Sequence, residues 1–321
     1  VTELERILIT GGFGYIGGRL AQHLARTAHQ QVVLGSRNPR QPPLWLSDAS
    51  VVQTDWASDE ALSQICRNVD AIVHLAGMNA QECAADSVGA LEMNGMVTSR
   101  LLRAAVGNGV KRFIYVSTAH VYGSPLRGSI TERSCSTSLH PYATSHRAGE
   151  DAVLRAHEQK EIQGVVIRLS NSFGPPMDER ANCWMLLVND LCRQAVTAQR
   201  MVLHSSGIQR RDFVALTDAC RAIAHLLNLE DASSGDGLFN VGGAWAPTVL
   251  EMAERIAACC HKAFGFQPEI VRPQSGRGDT AQALDYRIDK LLSSGFALMH
   301  PVDAEIIATL QFCSATKRQM Q

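Results

Sequence analysis

Hydrophobic positions in this chain fall into short apolar runs separated by amphipathic stretches, with few residues between them. The first run, Ile7-Leu8-Ile9, reads as a buried parallel strand. It stops at a glycine turn and resumes as a helix with Ile16, Leu20 and Leu24 on one face. The rhythm then repeats. Strands are predicted at 31–34, 51–53, 70–77 (ending in a small-residue turn), 112–117 and 164–169, and helices at 58–67, 88–108 and 142–159. Such alternation implies an α/β fold, a Rossmann-type doubly wound parallel sheet that binds ligands at the C-terminal strand ends. After Phe173-Gly174-Pro175-Pro176 the rhythm loosens. Residues 1–169 with about 210–243 are expected to form the dinucleotide-binding domain. About 170–209 with 244–321 would form a smaller C-terminal substrate-binding lobe that closes the cleft.

Composition narrows the class. A length of 321 residues suits one large α/β domain with an attached lobe, and 45% hydrophobic residues supply a sizeable core. The formal net charge of -1 gives no electrostatic reason to expect nucleic acid or an anionic membrane as partner. The nine cysteines show no metal-ligand spacing, so no metal is expected, and they read as reduced thiols of a cytoplasmic protein. No apolar run approaches the length that spans a bilayer.

The glycine turn carries the first candidate chemistry. In Gly11-Gly12-Phe13-Gly14-Tyr15-Ile16-Gly17, Gly11 permits the tight turn and Gly14 lets backbone approach a pyrophosphate. Gly17 lets the helix sit close on the strand. The helix N-terminus offers N–H groups and a positive dipole end to the anion. At the end of the second strand, Gly35 stands where a carboxylate would bind the ribose of NAD. Ser36 and Arg37 follow, with Arg40 nearby, a set suited to the extra phosphate of NADP. NADP(H) is therefore the expected cofactor, with NAD(H) the alternative. Asp55-Trp56 is placed to meet the adenine or to make a turn, and Leu75-Ala76-Gly77 is small enough for the cofactor to pass. Two later segments carry the acid–base groups. Ser117 and Thr118 end a strand, while Tyr142 and His146 lie four apart on one helix face. A tyrosine beside a cation can shuttle a proton to a carbinol oxygen, and a strand-end hydroxyl can hold that oxygen.

Together these residues resemble the extended short-chain dehydrogenase/reductase family, in its nucleotide-sugar epimerase, dehydratase and reductase branch. Thr10 to Gly17 is similar to that family's cofactor loop, and Ser117-Thr118-Ala119-His120-Val121-Tyr122-Gly123 to its catalytic hydroxyl segment. Asn94 matches its central-helix asparagine. Arg168 to Pro175, with Asn171, resembles the strand and loop that meet a sugar diphosphate, and Arg211-Asp212-Phe213-Val214 resembles the segment leading into a late helix. Phe239 to Gly243 fits the last strand, and Gly276-Arg277-Gly278-Asp279 fits a substrate-side motif whose arginine commonly contacts the diphosphate.

The resemblance implies an NAD(P)-dependent enzyme that moves hydride at a nucleotide-linked sugar, at sugar C4. Tyr142 would be the acid or base, Thr118 would hold the oxygen, and His146 would orient the ribose. Ala119, His120, Asn171, Arg211 and Arg277 would face the substrate, and homodimerisation would run through helices 88–108 and 142–159. Two departures qualify this. His146 replaces the family's lysine and is expected to carry part of a charge near neutral pH, with a stronger pH dependence. Ala119-His120 replaces the acid pair of dehydratases, which argues against 4,6-dehydration. The alternatives are a non-catalytic dinucleotide-binding protein on the same fold and, less favoured by Asn171 and Arg277, reduction of a non-sugar carbonyl.

Overall fold

A computed structural model describes residues 5–27, 29–230, 234–274 and 282–319. Seven parallel strands form the main sheet. They are β1 (Glu5–Thr10), β2 (Gln30–Ser36), β3 (Ser50–Gln53), β4 (Ala71–His74), β5 (Arg112–Thr118), β6 (Gln163–Leu169) and β7 (Leu238–Val241). Their order is β7-β6-β5-β4-β1-β2-β3, so the chain winds outward from β1, first one way and then the other. The crossing from β1 to β4 places the glycine turn at the switch point of the sheet.

The apolar pattern explains the layers. Ile7, Ile9, Val32, Leu34, Val73, Ile114 and Ile167 pack on one face with helices Tyr15–Leu24 and Leu216–Leu227. Leu8, Val33, Ile72, Phe113, Tyr115 and Val166 pack on the other, beneath the helices after β3, β4 and β5. Strand alternation sends successive side chains to opposite faces, and both faces are covered, so the strands read as continuous apolar runs.

The helix predicted at 88–108 runs as Ser87–Ala90, Leu91–Val97 and Thr98–Gly107, with a wider, π-type turn in the middle segment. The helix predicted at 142–159 is Pro141–Glu158. Pro141 occupies its first turn, where no N–H is needed, and His140 Nδ1 accepts from the Tyr142 N–H at 3.2 Å. This start puts Tyr142 and His146 in the first two turns. Phe173, Leu191, Met201, Phe213, Met252, Ile256, Ile306 and Leu310 form a separate core in the C-terminal region. The segment after Asp212 returns to the main layers through Leu216–Leu227 and β7. Among the described residues no helix is long and apolar enough to cross a membrane, and no group of acidic, histidine and cysteine side chains is arranged to hold a metal ion.

Candidate active site

The glycine loop is built by backbone constraints. Gly11 has φ 67°, a conformation costly for residues with a Cβ. A Cβ on Gly17 would lie 2.2 Å from the Gly11 carbonyl oxygen. The close approach that Gly17 permits is therefore to the loop itself, a sharper requirement than helix-to-strand packing. Helix Tyr15–Leu24 has no side-chain cap, which leaves first-turn N–H groups for an anion, and Gly14 is exposed beside them. Phe13 and Ile16 are half-buried. The Tyr15 hydroxyl instead donates to the Gly174 carbonyl at 3.1 Å, so its side chain joins the loop after β6.

At the end of β2, a Cβ on Gly35 would meet Thr54 Cγ2 at 3.1 Å and Thr10 Cα at 3.3 Å, so a side chain at the site expected for an acid would be tight against both. Ser36 is half-buried and Arg37 exposed. Arg40 stacks over the Phe13 ring, 5.0 Å from its centroid. Asp55 is exposed and accepts from the Ala57 N–H at 3.0 Å, the turn geometry that was its alternative reading. Trp56 gives its carbonyl to Arg100 and sets its ring 6.0 Å from His74.

Leu75, Ala76 and Gly77 line the exit of β4 against the glycine loop, since a Cβ on Gly11 would lie 3.1 Å from Ala76 N. Asn94 is fully buried and faces this exit. Its Oδ1 accepts from the Met78 N–H at 2.8 Å and its Nδ2 donates to Ser145 Oγ at 3.0 Å. Its side chain thus ties the β4 exit to the Tyr142 helix.

Thr118 ends β5, and its Oγ1 accepts from the His120 N–H at 3.1 Å, which turns the chain. Tyr142 and His146 rings meet edge to face at 4.6 Å, and His120 stands 6.4 Å from the Tyr142 ring. Burial raises the Tyr142 pKa above the usual phenol value, and hydrogen bonding with Thr118 opposes that shift. His146 departs from the expectation of partial charge. Burial pushes its pKa down to about 4, so the imidazole is neutral at neutral pH and no cation lowers Tyr142. Its Nδ1 lies 2.8 Å from the Tyr115 hydroxyl. Burial also lowers His120, helped by the charge of Arg211 and by His140.

Ser117 lies next to Thr118 but points inward, where its hydroxyl donates to Glu150 Oε1 at 2.5 Å. Arg168 pairs with the same buried carboxylate at 2.6 Å and stacks over Tyr122. The proton of the Ser117 hydroxyl is thus given to a buried ion pair. Ala119 is buried, and Asn171 Nδ2 donates to the Asp212 carbonyl at 2.9 Å. Arg211 is exposed, while Arg210 gives Nη1 to the Ala246 carbonyl. Arg277 lies outside the described residues. A cavity of about 830 Å³ adjoins the site under the 123–140 loop, with Tyr122, Arg127, Thr137 and His140 in its wall and none of Thr118, Tyr142 or His146.

The family model "NAD dependent epimerase/dehydratase family" matches residues 7–242. The chain belongs to this family. Its members include proteins similar to this chain over most of its length. A dTDP-glucose 4,6-dehydratase of Streptomyces niveus is 29% identical over 268 residues, covering 79% of this chain and 77% of that protein. Among solved structures, the UDP-glucuronic acid 4-epimerase of Bacillus cereus in complex with NAD has a TM-score of 0.77 at 22% identity. It covers 96% of each chain. RMD of Pseudomonas aeruginosa, complexed with NADPH, also has a TM-score of 0.77 at 22% identity and covers 97% and 99% of the two chains. At these identities the structural likeness establishes the fold, and the family match covers both the glycine loop and the Thr118–Tyr142–His146 cluster.

Proximity was only partly readable beforehand. Tyr115 and Gly149 escaped the sequence reading, although both touch the site. A Cβ on Gly149 would lie 2.8 Å from the Tyr115 hydroxyl oxygen and 2.7 Å from the Asn94 carbonyl oxygen. A glycine in the middle of a predicted helix was the available signal.

Proposed function

We propose that this protein is an NADP(H)-preferring enzyme that transfers hydride at C4 of a nucleotide-linked sugar. The observation that carries the reading is the convergence of Thr118, Tyr142 and His146, with the Tyr142 and His146 rings 4.6 Å apart, at strand ends beside an uncapped glycine-loop helix. The chain's own residues fit a dinucleotide. Gly14 leaves the loop open, Gly17 keeps the helix start against it, and Leu75 to Gly77 offer little bulk. When bound, the nicotinamide supplies or accepts the hydride.

Tyr142 is the proton donor to the sugar oxygen, and Thr118 holds that oxygen by its hydroxyl. The raised Tyr142 pKa keeps the phenol protonated at neutral pH, which suits reduction of a ketone more than oxidation of an alcohol. His146, neutral, serves by hydrogen bonding to the ribose rather than by charge. Asn171, Arg211 and Arg277 are assigned to the substrate's diphosphate side, and His120 to the sugar. Ala119-His120 contains no acid, and the charged group beside His120 is the Arg211 cation, which speaks against dehydration. Gly35, Arg37 and Arg40 support NADP(H). Exposed Val88, Leu91 and Met96 on the helix after β4 support a homodimer through that helix and Pro141–Glu158.

The test is to titrate the protein with NADPH and NADH, then assay NADPH consumption with a panel of nucleotide-linked 4-keto sugars. Tight NADPH binding with turnover is the expected result. Binding without turnover on any sugar would favour the non-catalytic reading, to which the uncharged His146 gives independent support. Cofactor retained through purification, with the hydride returned to the substrate and no net NADPH consumption, would identify an epimerase. No binding of either dinucleotide would overturn the proposal.

A further inference from the structure

Three adjacent strands carry buried polar residues side by side on one sheet face, Thr10 and His74 at the C-terminal ends of their strands. Thr10 of β1 is in register with His74 of β4, and His74 with Tyr115 of β5. All three are buried. Their hydrogen bonds join into a line with the helices above. Thr10 Oγ1 lies 2.7 Å from His74 Nδ1, and His74 Nε2 lies 3.1 Å from Thr98 Oγ1. The Thr98 hydroxyl donates to the Asn94 carbonyl at 2.8 Å, and the Tyr115 hydroxyl lies 3.2 Å from that carbonyl and 2.8 Å from His146 Nδ1.

Proton directions follow from counting donors. Thr10 Oγ1 accepts from the N–H groups of Leu75 and Ala76 at 3.1 and 3.3 Å, so its own proton is left for His74 Nδ1. His74 is then protonated on Nε2 and donates to Thr98, whose proton goes to Asn94. The Asn94 carbonyl has two lone pairs and can take both the Thr98 proton at 2.8 Å and the Tyr115 proton at 3.2 Å, but Tyr115 has one proton to give, and His146 Nδ1 at 2.8 Å is the nearer of its two acceptors.

We propose that Tyr115 is a positioning residue: its hydroxyl donates to Nδ1 of His146, fixing the imidazole proton on Nε2. Nε2 engages no described residue and is then a hydrogen-bond donor. The proposal rests on the functional reading above for what Nε2 meets, the cofactor ribose. The tautomer itself rests on the Tyr115–His146 contact, which is shorter than the Tyr115–Asn94 contact. Gly149 is part of the device, since any side chain there would occupy the space of the Tyr115 hydroxyl. A neutral imidazole can replace an ammonium as donor only if one tautomer is enforced, because the other would present a lone pair to the ribose. Tyr115 does the enforcing.

The test begins with the cofactor-free full chain labelled with ¹⁵N-histidine. The His146 signals are identified by their loss in His146→Gln. The expected spectrum at neutral pH shows Nε2 protonated and Nδ1 bare, and Tyr115→Phe should shift the population away from that form. NADPH affinity should fall about tenfold in Tyr115→Phe, the scale of one hydrogen bond. In a His146→Lys background, where the donor needs no tautomer, Tyr115→Phe should change NADPH affinity less than twofold. A wild-type Nδ1–H tautomer would overturn the proposal, as would an unchanged tautomer in Tyr115→Phe. An equal loss of affinity in both backgrounds would reduce Tyr115 to a packing residue. If Nε2–H is observed and shifts as described while neither dinucleotide binds, the functional reading fails and the tautomer assignment stands.

Discussion

The His146→Lys variant tests the electrostatics of the site most directly. In the native protein the imidazole is neutral at neutral pH because burial holds its pKa near 4, so it contributes no charge at Tyr142. An ammonium at about the 4.6 Å that separates the two rings would attract the phenolate. At an effective dielectric constant of about 20 that attraction is roughly 3–4 kcal/mol, or between two and three pKa units. The substitution has a cost. Glu150, one turn along the helix, is already held by Arg168 at 2.6 Å and by Ser117 at 2.5 Å, and offers the new cation little. Burying it should lower stability by on the order of 2–4 kcal/mol. The assay is kcat/KM for keto-sugar reduction against pH. Native enzyme should show no limb near pH 6.5 from His146 and an alkaline limb above the usual phenol range. In the lysine variant the alkaline limb should move down by about two units. An unmoved limb would refute the argument. So would a native limb near pH 6.5 that disappears in His146→Gln, because it would mean that the imidazole is charged in the working enzyme.

Four further outcomes are expected. Gly17→Ala should weaken NADPH binding by at least a hundredfold in calorimetric titration, since the new methyl would sit 2.2 Å from the Gly11 carbonyl oxygen; a change under threefold would contradict the loop geometry. Arg37→Ala should weaken NADPH about ten- to a hundredfold and leave NADH within twofold, the scale of charge-assisted bonds to one phosphate. Stability should fall on acidification from about pH 6.5 toward pH 4, because His74 and His146 have folded-state values lowered to about 3 and about 4 and so bind protons more readily when unfolded. Asp212, raised to about 6 by burial, works the other way over part of that window, so urea titrations should show the fall steepen in Asp212→Asn and flatten in His74→Gln. Finally, Met96→Glu, at a position 58% exposed, should shift sedimentation toward the monomer if the helix after β4 is the dimer face; unchanged mass would refute that face.

The strand-and-helix order was legible because each β strand is a continuous apolar run and each helix has one apolar side. Buried parallel sheets and their covering helices leave those signatures in the sequence. The glycine loop was legible for a different reason. Gly11 and Gly17 sit where a Cβ is excluded by the loop's own backbone, so spacing alone carries the geometry. The Tyr142 helix start was visible in His140-Pro141, since proline belongs in a first turn. Its protonation state was not. A histidine near neutral pH carries part of a charge only in water, and nothing in the residues around 146 says that this one is buried.

The buried line from Thr10 to His146 shows why such features escape a linear reading. Thr10, His74 and Tyr115 each look like ordinary residues of an apolar strand, and they are 64 and 41 positions apart. Only the register of β1 with β4, and of β4 with β5, makes them neighbours. Thr98 and Asn94 come from one helix and His146 from another, both laid across that row. A buried polar row is costly unless every member is partnered, which gives a physical reason to look for a purpose beyond packing. Here the row ends on His146, which stands where the family resemblance leads one to expect a lysine. A lysine brings its own donors in every rotamer, whereas a histidine at the same place needs a neighbour to decide which nitrogen carries the proton. The exchange at position 146 and the hydroxyl at position 115 are therefore best understood as one device.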